Sequence, residues 1–509
     1  MAGLRWRWLA LLAGLARPTV AFGPIPTQLR LRTVRSQSLA LVAQVSQLPP
    51  PPDLPSSSPK PSLGEAEHRH PRLILAVLLA LYITNQWARM LPSYLVSFDE
   101  TRLALPGAAH ELMNADLKFN QAQYGLLVSY GFSLLYTICA LPAGAACDLF
   151  SRKLILMGSA AGWGAATISS SFARSYNHVF VARIMLSVSQ AFATPASISL
   201  ISSVFPSGAR ATATSIYSSG IYVGAALASL SVVLSRRFGW RSTALIAGAA
   251  STLPAVLLAA VLRERGAQPA PDAPPAPRTM RVAAVPSEVA DKAKSAASPT
   301  RLLTVLSVPS VRLLLAAAAV RFFAGFAIGA WTPPFYRTYF GAQAASFAVL
   351  NALIVAGAGS LSVVSGGWFA DRLVRRGKAH RVALVPAVGS LLAIPFWVLA
   401  MQAPNFYLSM LGLCAAYLCA ECWYGVTISM MQAGLPSTVR GTAQGLLNMV
   451  QVIGNASPLL IGYLLTRGAS LRRLATVVTP TAYVICAILF WLAGEARQLE
   501  QDAATATSA

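Results

Sequence analysis

Acidic residues are scarce in this chain: 17 Asp and Glu among 509 residues, against 40 Lys and Arg. Charged residues of both signs make up only 11% of it, while 55% is hydrophobic. A soluble protein of this length would carry about a quarter of its residues charged, so that class is excluded. The six cysteines, Cys139, Cys147, Cys414, Cys419, Cys422 and Cys486, fall in or beside apolar runs and offer no extracellular disulfide framework. Cys419 and Cys422 bracket Glu421, but inside an apolar run they read as small core residues and not as metal ligands. The five histidines include no pair at zinc spacing. A Gly-x-Ser-x-Gly elbow after a strand and a phosphate loop ending Gly-Lys-Ser/Thr are missing too, which argues against a hydrolase and an ATP-driven pump. No cofactor, no metal and no enzymatic activity are expected.

What is abundant is apolar helix. Twelve segments of about 18 to 27 residues are each long enough to cross about 30 Å of hydrocarbon at 1.5 Å per residue. They lie near 72–96, 122–143, 153–171, 177–202, 212–234, 241–262, 311–334, 346–369, 380–402, 405–432, 441–466 and 475–494. The expected fold is an all-α polytopic membrane protein, with twelve transmembrane helices in two six-helix halves, 72–262 and 311–495. A hydrophilic, Pro- and Ala-rich central loop, 263–310, joins the halves, and a tail, 496–509, is expected to be disordered.

The net charge of +23 does not imply nucleic acid, because the basic residues flank helices instead of forming one patch. Arg152 and Lys153 follow the second span, and Arg372, Arg375, Arg376, Lys378 and Arg381 follow the eighth. These turns belong on the positive, inner face of the membrane. The first connection holds Asp99, Glu100, Glu111 and Asp116 against Arg102 and Lys118, as suits the outer face. Arg236, Arg237 and Arg241, and also Arg467, Arg472 and Arg473, run against this rule.

The N-terminal 71 residues lie outside the helical pattern. Arg5 and Arg7 precede "WLALLAGLA", and "TVA" at 19–21 has small residues where a signal peptidase reads, which predicts a signal peptide over 1–21. Residues 22–71 begin with Phe22, carry Arg30, Arg32 and Arg35 with no acid before Asp53, and end in a Pro/Ser-rich linker. This arrangement resembles the bipartite presequence of algae with complex plastids, which implies a plastid membrane. An ordinary signal sequence followed by a disordered arm would instead imply an endomembrane or the plasma membrane.

"LALYITNQWARMLPSYL" (79–95) places Asn85, Gln86 and Arg89 inside the first span. An arginine at the bilayer centre costs at least about 2.5 kcal/mol, so such residues usually face a protein interior or a watery path. Arg183 and Arg321 lie in spans as well, with Glu421 as the main acid at similar depth. The centre is therefore net positive. Guanidinium forks match carboxylate and phosphate oxygens, and the expected substrate is a small organic anion or anionic amphiphile. Other roles stay open: Arg183 could brace two helices through backbone carbonyls, and Arg321 could reach the head groups. Asn448, Gln451 and Asn455 share a sector of about 60° and could either line the path or bond between helices. Gly220 and Gly224 permit close helix approach, while Tyr217 and Trp331 read as packing residues.

The halves repeat a local signature: "GAACDLFSRK" from Gly144 and "GWFADRLVRR" from Gly367. In each, an aspartate (Asp148, Asp371) follows the glycine by four residues, and a basic pair (Arg152 and Lys153; Arg375 and Arg376) comes four and five residues later. Duplication of this kind marks secondary transporters with a site between repeats. With Arg372, these residues resemble the turn motif of the major facilitator superfamily, with Leu149, Ser151 and Val374 departing from its pattern. The resemblance covers about residues 72–495 and implies alternating access, with the turns as a latch between halves.

"NQWAR", "ARIMLSVSQAFATPA", "GIYVGAALASL", "WTPPFYR" and "GNASPLLIG" resemble the spinster-like branch, whose members are thought to move lysolipids or sphingoid phosphates. That pattern has Asp where this chain has Ala88, and Glu where it has Gln190. Neither residue titrates, so a uniporter or exchanger is expected, with Gln190 as a site residue; proton symport through Glu421 is the alternative. A non-transporting receptor or scaffold with the same fold is the competing class. The expected partners are the lipid bilayer and the anionic or lipid-like substrate, and the protein is expected to be a monomer.

Overall fold

The computed structural model describes residues 70–261, 299–436 and 439–508. The expected signal and transit segments, and most of the central loop, lie outside the described residues. So do the surroundings of Gly144 and the side chain of Asp148, although both residues stand on a described helix.

A chain in hydrocarbon must satisfy its backbone polar groups internally, and the apolar runs accordingly form helices. The long ones are α1 (Pro71–Tyr94), α2 (Gln121–Val128 and Tyr130–Leu149), α3 (Arg152–Ser171), α4 (Tyr176–Ala191 and Ala193–Val204), α5 (Ser207–Ser218 and Gly220–Phe238) and α6 (Trp240–Val261) in the N-terminal half. The C-terminal half has α7 (Pro309–Tyr339), α8 (Ala344–Leu353 continuing to Ser360–Arg375), α9 (Leu384–Gln402), α10 (Phe406–Ala420 and Tyr424–Ala433), α11 (Arg440–Gly454 and Ala456–Thr466) and α12 (Leu471–Ser508). Among the described residues, ten of these helices are long and apolar enough to cross a membrane by length and composition. The other two are α2 and α3, which pack among them: α2 against α4, and α3 against α6.

Several helices break at mid-course. α8 carries a π-helical stretch at Ile354–Gly359, and α10 a 3-10 turn at Glu421–Trp423. Such local departures from α geometry often accompany functional positions.

Two expectations about the ends need correction. The predicted central loop, 263–310, is helical over Pro299–Ser307, and α7 already begins at Pro309. The tail 496–509, expected to be disordered, continues α12 as helix to Ser508. Polar capping explains both. Glu500 on α12 accepts hydrogen bonds from the Ser310 backbone N–H (2.9 Å) and hydroxyl (2.8 Å), satisfying donors at the start of α7. Arg497 pairs with Glu500 at 3.3 Å and donates to the Ala433 carbonyl at the end of α10.

The halves meet through α2 against α11 and α5 against α8. The first interface is tight because it is built on glycines. A Cβ on Gly125 would lie 2.5 Å from the Pro458 carbonyl oxygen, and one on Gly462 would collide with the Gln121 backbone. Gly224 brings α5 equally close to α1, where a Cβ would lie 2.5 Å from the Ile83 carbonyl oxygen, as the spacing of Gly220 and Gly224 anticipated.

Candidate functional site

The face opposite the Arg152 and Arg372 turns, called outer here, is organised by the first connection. Its acids have partners in both halves. Asp116 pairs with Arg241 at 2.8 Å and accepts from the Trp240 indole at 2.9 Å. Glu111 pairs with the fully buried Arg337 of α7, which also donates to the Tyr94 carbonyl, and Arg102 donates to the Gly341 carbonyl at 2.6 Å. Arg241 thus runs against the charge rule because a local carboxylate holds it. Near the eleventh connection, Arg472 stacks on Tyr339, 4.5 Å from the ring centre.

Deeper on the same side, Asn351 of α8 donates to the Tyr94 hydroxyl (3.1 Å) and to Ser229 of α5 (3.0 Å), while Ser229 donates to the Ala348 carbonyl. Tyr124 of α2 donates to the Ala330 carbonyl of α7 at 2.5 Å. Among the described residues, the side-chain hydrogen bonds between halves cluster at this outer end. Sequence reading placed Glu111 on the outer face without a partner, and it missed Tyr94, Tyr124, Arg337 and Asn351. The paired prolines of "WTPPFYR" were the available signal for Ala330, because Pro334 has no N–H to donate to the carbonyl four residues before it.

The intramembrane polar residues fall into two groups. In the N-terminal half, α4 is stitched to α1. Gln190 donates to the Asn85 carbonyl at 2.9 Å, and Arg183 approaches the Ala88 carbonyl at 3.5 Å. The Ala88 carbonyl is free because Pro92 stands four residues on in α1. Arg183 therefore does brace helices, as one reading of the sequence allowed. Its guanidinium lies 5.0 Å from the centre of the Phe132 ring, and that of Arg89 lies 4.4 Å from the same ring and 5.5 Å from Tyr136. Arg183 is buried and Arg89 half-buried. No carboxylate among the described residues pairs with either.

In the C-terminal half, Arg321 is buried and bound to Glu421 at 2.9 Å, with a further bond to the Ala420 carbonyl at 3.0 Å. Burial corrects the view of Arg321 as a head-group residue. It sits between the rings of Tyr483 and Trp423, while the Glu421 side chain keeps 29% exposure at the break in α10. Cys422 packs beside this break without a thiol partner, directing its sulfur to the Cys419 and Val385 carbonyls. On α11, Asn448 is exposed, Gln451 is half-buried, and the buried Asn455 donates back to the Gln451 carbonyl at 3.1 Å. The three share one face, and Asn455 makes a bond within its own helix.

A model of the Major Facilitator Superfamily matches residues 91–457. The chain belongs to this superfamily. It is therefore a membrane transporter by family and not an enzyme. An "MFS-type efflux pump" of Mycolicibacterium smegmatis is 24% identical over 76% of this chain and 88% of its own length. The "D-galactonate transporter" of Escherichia coli is 22% identical over 72% and 85%. The "Sodium-dependent phosphate transport protein 1, chloroplastic" of Arabidopsis thaliana is 26% identical over 69% and 66%. Among solved structures, a bacterial homologue of the human lysosomal transporter Spinster, inward-facing and unoccupied, shares the fold with a TM-score of 0.67 and 21% identity over 84% of this chain and 97% of that one.

The superfamily's turn motifs are placed as follows. Arg152 approaches the Ser199 carbonyl at 3.5 Å and Lys153 donates to the Ala259 carbonyl at 2.7 Å, so both tie α3 to its own half. Asp371, Arg372, Arg375 and Arg376 are exposed, and Arg372 stacks on Trp368. Asp371 makes no ion pair among the described residues. The motif glycine Gly367 faces open space, and its neighbour Gly366 is the residue pressed against Cys422.

Proposed function

We propose that this superfamily member moves a small organic anion or anionic amphiphile by alternating access, as a uniporter or exchanger. The observation that carries this reading is the inequality between the guanidiniums. Arg321 is neutralised by Glu421, whereas Arg89 and Arg183 share one aromatic ring and no carboxylate. Two adjacent unneutralised cations in low dielectric favour an anion whose oxygens accept from both. Asn85, Gln190 and the α11 amides are the polar groups available to complete such a site. The names of relatives support the class: galactonate and phosphate above, and a "Probable sulfoacetate transporter SauU" of Cupriavidus necator, 25% identical over 71% of this chain, are all anion carriers by name. The scattered resemblance to spinster-like proteins favours a lipid-like anion.

The outer hydrogen bonds and the Glu111–Arg337 pair would hold the site closed on one side, and rocking of the halves would exchange them for contacts at the Asp148 and Asp371 turns. A second reading, proton symport through Glu421, draws on that side chain's partial exposure. The composition of residues 1–71 and the chloroplastic relative favour a plastid membrane. The protein works as a monomer in the bilayer.

The test is flux in proteoliposomes, screening phosphates, carboxylates and lysolipids with and without a pH gradient. Saturable uptake of an anion that Arg89→Ala abolishes, with insertion and folding intact, is expected. Normal flux in that variant removes Arg89 from the site, and ligand binding without flux favours a receptor.

A further inference from the structure

Phe132 was not among the residues the sequence singled out, being one more apolar residue of α2. It is 2% exposed and stacks on Tyr136 with ring centres 5.3 Å apart. Two arginines from different helices lie against it, at 4.4 Å for Arg89 and 5.0 Å for Arg183. Like charges so near one another repel, and here neither has a carboxylate to offset the cost. Among the described residues the buried arginines are Arg183, Arg321 and Arg337, and the other two each hold a glutamate. Arg183 has instead a long bond to the Ala88 carbonyl. No hydrogen bond or ion pair among the described residues engages Arg89. The negative π face of the ring is thus the main attraction acting on both guanidiniums at once.

We infer that Phe132 is a positioning residue: its ring holds Arg89 and Arg183 side by side so that one oxyanion bridges them. This rests on the anion reading above and adds to it the means by which two unneutralised cations stay together without ligand. A ring serves better than a carboxylate here. A carboxylate would satisfy the forks and compete with the substrate, whereas a quadrupole attracts the cations and leaves their N–H donors free.

The test uses the full chain in detergent and measures saturable binding of radiolabelled sulfate and of inorganic phosphate. Arg89→Ala is expected to lose binding. Phe132→Met, of similar bulk but without a π face, is expected to weaken it about tenfold, as loss of a desolvated cation–π contact implies. Phe132→Tyr, which keeps the ring, is expected to stay within about twofold of wild type. If the methionine variant does not fold, Phe132→Leu replaces it, and thermal unfolding checks each protein. Wild-type affinity in Phe132→Met, alongside loss in Arg89→Ala, overturns the role of Phe132 and leaves the anion reading standing. Equal weakening by Met and Tyr also overturns it, because packing and not the ring would then matter. Unchanged binding in Arg89→Ala, or no binding to wild type, overturns the anion site itself.

Discussion

Tyr124 of α2 donates its hydroxyl hydrogen to the Ala330 carbonyl of α7, a group that Pro334 leaves without its helical donor. The bond joins the two halves at the outer end. It stands on α7 much as the Arg183 contact to the Ala88 carbonyl, freed by Pro92, stands on α1. The first helix of each half thus offers a carbonyl that a proline frees from the helical ladder, but only the Ala330 carbonyl is used across the halves.

Tyr124→Phe should therefore weaken outer closure. Removing one hydrogen bond and stranding the Ala330 carbonyl costs about 1 to 3 kcal/mol, enough to shift a balance between open and closed states several-fold or more. Increased labelling of a cysteine introduced at the outer ends of α2 or α11 is the expected readout, in a background where the native cysteines are replaced. Labelling equal to that of the parent would mean that this bond does not hold the gate.

The Glu111–Arg337 pair should respond asymmetrically. Arg337 is fully buried, while the Glu111 side chain keeps 24% exposure and a second cation, Arg102, at 3.9 Å. Glu111→Gln leaves a buried guanidinium without its carboxylate and should cost about 3 to 5 kcal/mol; Arg337→Met should cost less, because Glu111 retains Arg102 and solvent. Thermal unfolding in detergent ranks the two, and the reverse order would contradict this account.

Arg321 and Glu421 should be coupled in the same measurement. Glu421→Gln alone leaves Arg321 buried with weakened compensation, whereas Arg321→Met combined with Glu421→Gln removes both charges. The double variant should unfold at a higher temperature than Glu421→Gln alone. Flux of Glu421→Gln with and without a pH gradient separates this structural role from proton transfer: loss of gradient dependence with retained exchange would identify Glu421 as the proton carrier.

Gly366 and Gly367 provide a contrast within two residues. A methyl on Gly366 would collide with Cys422 at the break in α10, while one on Gly367 meets nothing within 4 Å. Gly366→Ala should destabilise by about 1 to 3 kcal/mol, and Gly367→Ala by little. Similar melting temperatures for both would show that α8 and α10 can part there at no cost.

Much of the fold was legible because length and polarity suffice to specify a helix in hydrocarbon. Each apolar run corresponds to one of α1 through α12, with the largest difference at α12, which continues to Ser508. The ends were less legible. Disorder at 496–509 was read from small polar residues, but Glu500 finds the start of α7, a contact that depends on a segment 190 positions away. The site was half legible. Arg89, Arg183, Arg321 and Glu421 stand out because charge inside an apolar run is costly wherever it lies, whereas Phe132 and Tyr124 resemble dozens of other aromatic positions until their neighbours are known.

The sequence by itself determined that this chain is a duplicated bundle of membrane helices with basic inner turns and surplus positive charge within. Those properties follow from local composition, since each residue's transfer cost is its own. Only the tertiary structure decided which arginine is neutralised and which is not. That depends on whether helix packing brings a carboxylate or a ring within about 5 Å, a distance over which both Coulomb and cation–π energies fall steeply. Arg321 received Glu421, and Arg89 and Arg183 received Phe132.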